Sequence, residues 1–268
     1  MSERFVIALD GCDLVGERWA GGKELVVLLH EGVSDRRGWR QVAELLAPEV
    51  SVVAYDRRGY GETTVSAVPF THAGDLMSVL SREEAELVWL VGASAGGGVA
   101  LDLAVLAPDR VAGLVLLGTA VSGAPEPTMD DELQRIDALW EAARAAGDFD
   151  ALNRLETWLW LDGPYSPEGR VGGPARELAL DMNAIILRNC DGEDEADSGV
   201  NAWSHLADIA VPATVACGSL DATFLIERAR ELATRLPNGR YAELPGVAHQ
   251  PYLEQPEAVA SLIRDAMG

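Results

Sequence analysis

The chain has 268 residues, 48% of them hydrophobic, enough for one large domain with a buried core and short for two independent ones. Asp and Glu number 43 against 21 Lys and Arg, a net charge of −22 that repels phosphate backbones and anionic headgroups and so excludes general nucleic-acid and membrane-surface binding. No run approaches the ~18 apolar residues of a membrane span, and Met1-Ser2-Glu3-Arg4 does not open a basic-then-apolar leader, so the expected compartment is the cytoplasm.

Residues 4–20 read as an antiparallel hairpin turning near Gly11. Five short apolar runs follow, at 24–30, 50–56, 86–92, 111–119 and 211–218. Each is rich in Val or Leu and ends in Gly, Asp, His or Thr, as strands buried on both faces of a parallel sheet do. Helical periodicity fills the intervals at 35–47, 71–82, 95–107, 222–236 and 256–267, and strand alternating with helix means βαβ units. The alternation stops after Thr119. Up to about Leu206 only helical patterns return, at 130–146, 149–160 and 174–189, separated by Gly and Pro. The expected architecture is α/β. A core of residues 1–119 and 207–268 carries a mostly parallel sheet, and a helical cap of residues 120–206 is inserted over the sheet's C-terminal edge.

The chemistry concentrates at that edge. Gly92-Ala93-Ser94-Ala95-Gly96 lies between a predicted strand and a predicted helix, the context that a GxSxG nucleophile elbow requires. The tight turn lifts the Ser94 hydroxyl to a helix N-terminus, where free N–H groups and the helix dipole favour negative charge. Gly92 and Gly96 let the crossing chains approach. A serine hydroxyl needs a base to take its proton. Of the four histidines, His249 lies in a loop after the strand-like stretch 240–244, at the same edge as Ser94. Asp221 follows the strand 211–218 and can orient that imidazole. It also sits where it could cap the next helix. The chain order Ser94, Asp221, His249 suits this topology. Cys12, Cys190 and Cys217 are odd in number and widely spaced, neither a disulfide framework nor a metal pair, and read as small buried hydrophobes.

Five stretches, LLHEGVSDRRGW (28–39), VAYDRRGYG (53–61), VGASAGGGVALDL (91–103), GSLD (218–221) and GVAHQPYLE (246–254), resemble the α/β-hydrolase fold with a helical lid, and the resemblance covers nearly the whole chain. It implies an oxyanion hole made of two backbone N–H groups, from Ala95 and from Gly32. Glu31 stands where that family usually has glycine; a carboxylate aimed at the oxyanion would oppose catalysis, so Glu31 is expected to point away or to be paired. His30 reads as a brace for this loop, and Asp56 as the partner of an arginine that holds neighbouring loops. His72 and His205 have no motif around them. Four of the seven tryptophans lie in the insertion. Trp140, Trp158, Trp160 and Trp203 each read as packing of the lid, but as a set at least one is expected to face the site, and Trp140, Trp158 and Trp160 are the candidates for lining the substrate pocket.

The implied reaction is hydrolysis of a carboxylic ester or lactone through an acyl-enzyme on Ser94, with no metal and no organic cofactor. Carbon–carbon bond hydrolysis and cofactor-free perhydrolysis use the same triad, and the Gly96-Gly97-Gly98 run resembles the perhydrolase branch. Gln250 stands where aromatic ring-cleavage hydrolases commonly have tryptophan. Epoxide hydrolases and dehalogenases carry aspartate in place of Ser94. A small-molecule receptor that kept the fold is the non-enzymatic alternative. Residues 120–206 hold 18 acidic and 6 basic residues, including the run 191–197, against 25 and 15 in the other 181. That charge reads as a solvated outer face of the lid, or as a gate expected to disfavour anionic substrates and tolerate neutral or cationic ones.

Overall fold

The computed structural model describes residues 1–64, 68–189 and 198–268; Cys190 and the acidic run 191–197 lie outside the described residues. Strands β1 (Ser2–Leu9) and β2 (Cys12–Trp19) pair antiparallel with Leu9 opposite Cys12, so the expected hairpin turns at Asp10-Gly11. Strands β3 (Leu25–Leu29), β4 (Ser51–Tyr55), β5 (Val88–Ala93), β6 (Val111–Leu117), β7 (Ala213–Gly218) and β8 (Gly239–Leu244) complete one eight-stranded sheet. Its order is β1-β2-β4-β3-β5-β6-β7-β8, with β2 antiparallel to β4 and every later pairing parallel.

Side-chain alternation along β3 feeds two separate cores. Val27 and Leu29 pack with α2 (His72–Arg82), α3 (Ala95–Leu106) and α8 (Thr223–Arg235) on one face. Val26 and Leu28 pack with α1 (Arg40–Leu46) and α10 (Pro256–Met267) on the other. β3, β4, β5 and β7 are buried at every position, which is why they read as unbroken apolar runs. Each Leu or Val so enclosed contributes on the order of 1.5–3 kcal/mol of transfer free energy.

The predicted helix 35–47 is split. Asp35 accepts from the Arg37 N–H at 2.9 Å and opens a short 3₁₀ turn over Arg36–Trp39, and α1 begins only at Arg40. The turn is fixed from outside, because Asp56 Oδ1 accepts the Arg36 backbone N–H at 2.9 Å while its other oxygen pairs with the Arg36 guanidinium. Arg36 also reaches Glu62. Asp56 therefore joins the turn after β3 to its own loop after β4, as the sequence pattern implied.

Between β6 and β7 no strand interrupts the described residues. Helices α4 (Asp131–Ala146), α5 (Phe149–Thr157), α6 (Gly173–Asn189) and α7 (Ala202–His205) occupy this span. Asp130 and Asp148 cap α4 and α5 through Leu133 N–H and Ala151 N–H, each at 3.0 Å. The predicted helix 149–160 ends early, at Thr157, and the chain widens into one π-helical turn, Trp158–Asp162. That turn is anchored. Asp162 is fully buried and accepts from the backbone N–H groups of Gly169 and Val171, both at 2.8 Å, and from Arg176 at 2.6 Å. No described helix is long and apolar enough to cross a membrane.

Candidate active site

The turn at the end of β5 is strained. Ser94 has φ 47° and ψ −116°, one of only two non-glycine residues with positive φ among those described. Such a conformation costs roughly 1–3 kcal/mol and persists where its surroundings enforce it. Here the Ser94 N–H donates to the Leu117 carbonyl at 2.8 Å, and the Ser94 carbonyl accepts from Gly97, Gly98 and Ala120 at 3.0–3.1 Å. A Cβ at Gly96 would lie 2.3 Å from the Leu29 carbonyl oxygen, so the elbow sits directly on the end of β3. Ser94 and Ala95 remain half-buried, open to the space above the sheet. As the first residue of α3, Ala95 has no carbonyl a turn earlier in the helix to receive its N–H.

His249 stands in the loop between β8 and α9 (Pro251–Glu254), and Asp221 in the turn after β7. The two loops meet: His249 Nδ1 lies 2.8 Å from Asp221 Oδ2. Asp221 Oδ1 accepts the Ala222 N–H at 2.8 Å, and the Cys217 thiol donates to Oδ2 at 3.4 Å. Cys217 is therefore more than the buried filler its spacing implied; burial and then Asp221 hold its thiol protonated by raising its pKa. Gly118, with φ 50°, closes the gap between His249 and the elbow. A Cβ there would come within 2.8 Å of His249 Nδ1, and the neighbouring Leu117 carbonyl is the one that holds Ser94. The fold thus brings Ser94, Asp221 and His249 to one edge from three separate loops. Burial works against a charged imidazole, yet Asp221 and then Glu31 outweigh it, and the His249 pKa is pushed up to about 9.

The loop after β3 is braced from beneath. His30 is fully buried, its Nε2 accepts the Arg57 N–H at 2.9 Å, and its Nδ1 faces the Glu31 carbonyl at 2.7 Å. The Arg57 guanidinium donates to the same carbonyl at 2.9 Å. Burial, followed by Arg57, keeps His30 neutral, which suits a brace. Gly32 follows, half-buried with open space over its Cα. The Glu31 side chain is buried and paired. Oε1 accepts from the Gln250 amide, and Oε2 lies 3.6 Å from His249 Nε2.

A cavity of about 340 Å³ opens among the helices between β6 and β7. Leu133, Ile136, Trp140, Leu159, Trp160 and Phe224 form its apolar wall, with Asp137 and Glu156 as its acidic members. Trp160 is the link to the triad: its ring centroid is 4.7 Å from that of His249, and its carbonyl accepts the His249 N–H at 3.1 Å. Trp140 donates to Glu156 Oε1 at 2.8 Å, and Asn183 to Oε2 at 2.6 Å, so that carboxylate is held in the wall. Trp158 is not brought to this cavity. Its indole N–H donates to the Ser166 carbonyl at 2.8 Å, and the Arg135 guanidinium lies over its ring. Trp203 packs between Arg228 and Arg235, His205 pairs on the surface with Asp208, and His72 is buried at the start of α2. Phe224 and Tyr252 escaped sequence reasoning, and Gln250 reads there only for the tryptophan it replaces, not as a partner of Glu31. Gln250 carried a signal, standing next to His249 inside the quoted stretch, whereas Phe224 is one apolar residue among many.

The family model described as "Alpha/beta hydrolase family" matches residues 26–262. A putative 2-succinyl-6-hydroxy-2,4-cyclohexadiene-1-carboxylate synthase of Bacillus subtilis is 26% identical over 263 residues, covering 94% of this chain and 93% of that protein. A pimeloyl-[acyl-carrier protein] methyl ester esterase of Yersinia enterocolitica is 28% identical over 251 residues, covering 90% and 92%. Among solved structures, a thermophilic esterase from Thermogutta terrifontis superposes with a TM-score of 0.75 at 26% identity, covering 99% of this chain and 98% of that one. With its sheet order, its strained elbow and this match over most of its length, the chain belongs to the α/β-hydrolase family.

Proposed function

We propose that this protein is a serine hydrolase that cleaves a neutral carboxylic ester or lactone of modest size through an acyl-enzyme on Ser94. The observation that carries the reading is the 2.8 Å hydrogen bond between His249 Nδ1 and Asp221, in a loop that Gly118 joins to the elbow. Hydrolysis of ester bonds is the activity named for the Yersinia relative and for the Thermogutta structure.

In this reading Asp221 holds the imidazole with its proton on Nδ1, leaving the Nε2 lone pair for the Ser94 proton. Ser94 Oγ attacks the carbonyl as that proton moves to Nε2. The oxyanion receives hydrogen bonds from the N–H groups of Ala95 and Gly32, each contributing roughly 10²–10³-fold in rate. The C–O bond to the alcohol then breaks, and the alcohol leaves with the Nε2 proton. Water repeats the sequence on the acyl group and frees the acid. Residues 120–206 serve as the lid, and the 340 Å³ cavity beside Trp160 takes the apolar part of the substrate. Trp140 and Trp160 form its wall, and the placement of Trp158 gives it a supporting role in the lid instead.

The test is fluorophosphonate labelling followed by turnover of a p-nitrophenyl ester panel. Label on Ser94 with turnover, both lost in Ser94→Ala, is the expected result. Wild-type hydrolysis rates in Ser94→Ala overturn the serine mechanism, and labelling without turnover of any ester favours a receptor.

A further inference from the structure

Glu31 is the residue that the reaction leaves unexplained. It stands on the loop that supplies an oxyanion N–H, yet its side chain is 1% exposed and aimed at the triad. Its Oε2 has no hydrogen-bond partner and faces His249 Nε2 at 3.6 Å, while Oε1 is anchored by Gln250. The Tyr252 hydroxyl, itself 3.0 Å from Ser34 Oγ, also lies against this carboxylate. The imidazole is therefore flanked by a carboxylate on each nitrogen, Asp221 at Nδ1 and Glu31 at Nε2, both fully enclosed. Among the described residues Asp221 and Glu31 are the charged groups that act on that ring; Trp160 covers it from the π-helical turn, and backbone at Gly118 closes it from β6.

A buried carboxylate oxygen without a hydrogen bond is costly; the Tyr252 hydroxyl serves this carboxylate, and His249 Nε2 is the ring atom that faces Oε2. A single proton on Nε2, facing Oε2 across that 3.6 Å ion-pair gap, serves both groups. We infer that Glu31 is a second carboxylate partner of the catalytic imidazole, holding a proton on the Nε2 side in the free enzyme that must be given up before Ser94 can be activated. Nε2 is the atom that receives the Ser94 proton, so the base is unavailable while that site is filled. The stored proton leaves to solvent or to hydroxide as pH rises, and nothing else is consumed. Glu31 acts through His249 and is a positioning residue; what it sets is the acid limb of activity. The directions of titration agree: burial raises the Glu31 pKa against the pull of His249, and Glu31 adds to the upward pull on His249.

The catalytic consequence rests on His249 being the base of the proposed reaction, whereas the shared proton does not. The experiment separates them. The ¹³Cε1 shift of His249 is titrated in Ser94→Ala protein, with and without Glu31→Gln, and assigned with a His249→Ala control. The midpoint is expected well above the ordinary histidine range near 6.5 and at least about one unit lower in Glu31→Gln. In the Ser94 enzyme the pH profile of kcat/KM, and of fluorophosphonate inactivation, moves down in parallel. Glu31→Ala repeats the comparison if the glutamine variant fails to fold. A midpoint near 6.5 in wild type, or the same midpoint with and without Glu31, overturns the inference. A shifted midpoint without labelling of Ser94 leaves the shared proton standing and removes the serine mechanism.

Discussion

The indole of Trp160 and the imidazole of His249 lie with centroids 4.7 Å apart and planes tilted by 42°, while the Trp160 carbonyl receives the His249 N–H at 3.1 Å. Ring and backbone of one residue thus touch the proposed base and the wall of the cavity at once. Trp160→Ala removes the ring and keeps the carbonyl. Losing an apolar surface of this size should lower kcat/KM for p-nitrophenyl butyrate or hexanoate by roughly 10–100-fold, with a smaller loss for the acetate, whose acyl group does not reach the wall. Equal losses across the acyl series would mean that Trp160 does not line the acyl site.

Asp221 offers a sharper test of the triad. Asp221→Asn keeps the size of the side chain but presents its amide to His249 Nδ1 or turns the tautomer over. The expected loss in kcat is about 10⁴-fold, with a small change in Tm, measured by esterase assay beside a thermal melt. A loss of tenfold or less would remove Asp221 from the mechanism.

Charge should sort substrates. Asp137 and Glu156 stand in the cavity wall of a chain with a net charge of −22. A carboxylated ester should have a kcat/KM at least about tenfold below its neutral analogue at 10 mM salt, the gap narrowing at 0.5 M as screening shortens to a few ångströms. A ratio indifferent to salt would show that these charges do not act on the substrate.

The Arg36–Asp56 pair predicts stability rather than activity. Both side chains are buried, and Asp56 is fully so. Arg36→Leu strands the Asp56 carboxylate and should cost roughly 3–5 kcal/mol, read as a Tm lowered by about 10 °C. Replacing both residues, Arg36→Leu with Asp56→Asn, should recover part of it. A melt unchanged by Arg36→Leu would mean that the backbone N–H groups of Arg36 and Glu62 alone satisfy Asp56.

Sheet and elbow were legible because their causes are local. β3, β4 and β5 are apolar on both faces, and a glycine pair flanks Ser94 where a strand meets a helix. Ser94, Asp221 and His249 could be placed together because each follows the C-terminal end of a strand, β5, β7 and β8, in the parallel part of one sheet. The Glu31–His249 approach was not legible beyond the oddity of a glutamate at that position, since its direction depends on Gln250 and Tyr252, more than 200 residues away. The split of helix 35–47 likewise comes from Asp56 gripping Arg36. The π-helical turn depends on Asp162, whose partners, Gly169, Val171 and Arg176, lie in a loop and helix with no periodic signal pointing back.

That turn also ties the helical segment to the loop that carries His249. The Trp160 carbonyl holds His249, Arg170 bonds the carbonyls of Leu161 and Asp162 and pairs with Glu254 at 2.6 Å, and Glu254 in turn accepts the Ala248 N–H. Swinging this side of the helical segment outward would unseat the base it rests on. Whatever displaces the helical segment on this side displaces His249 with it, so the place of the ring is set by the Asp162 anchor as well as by Asp221.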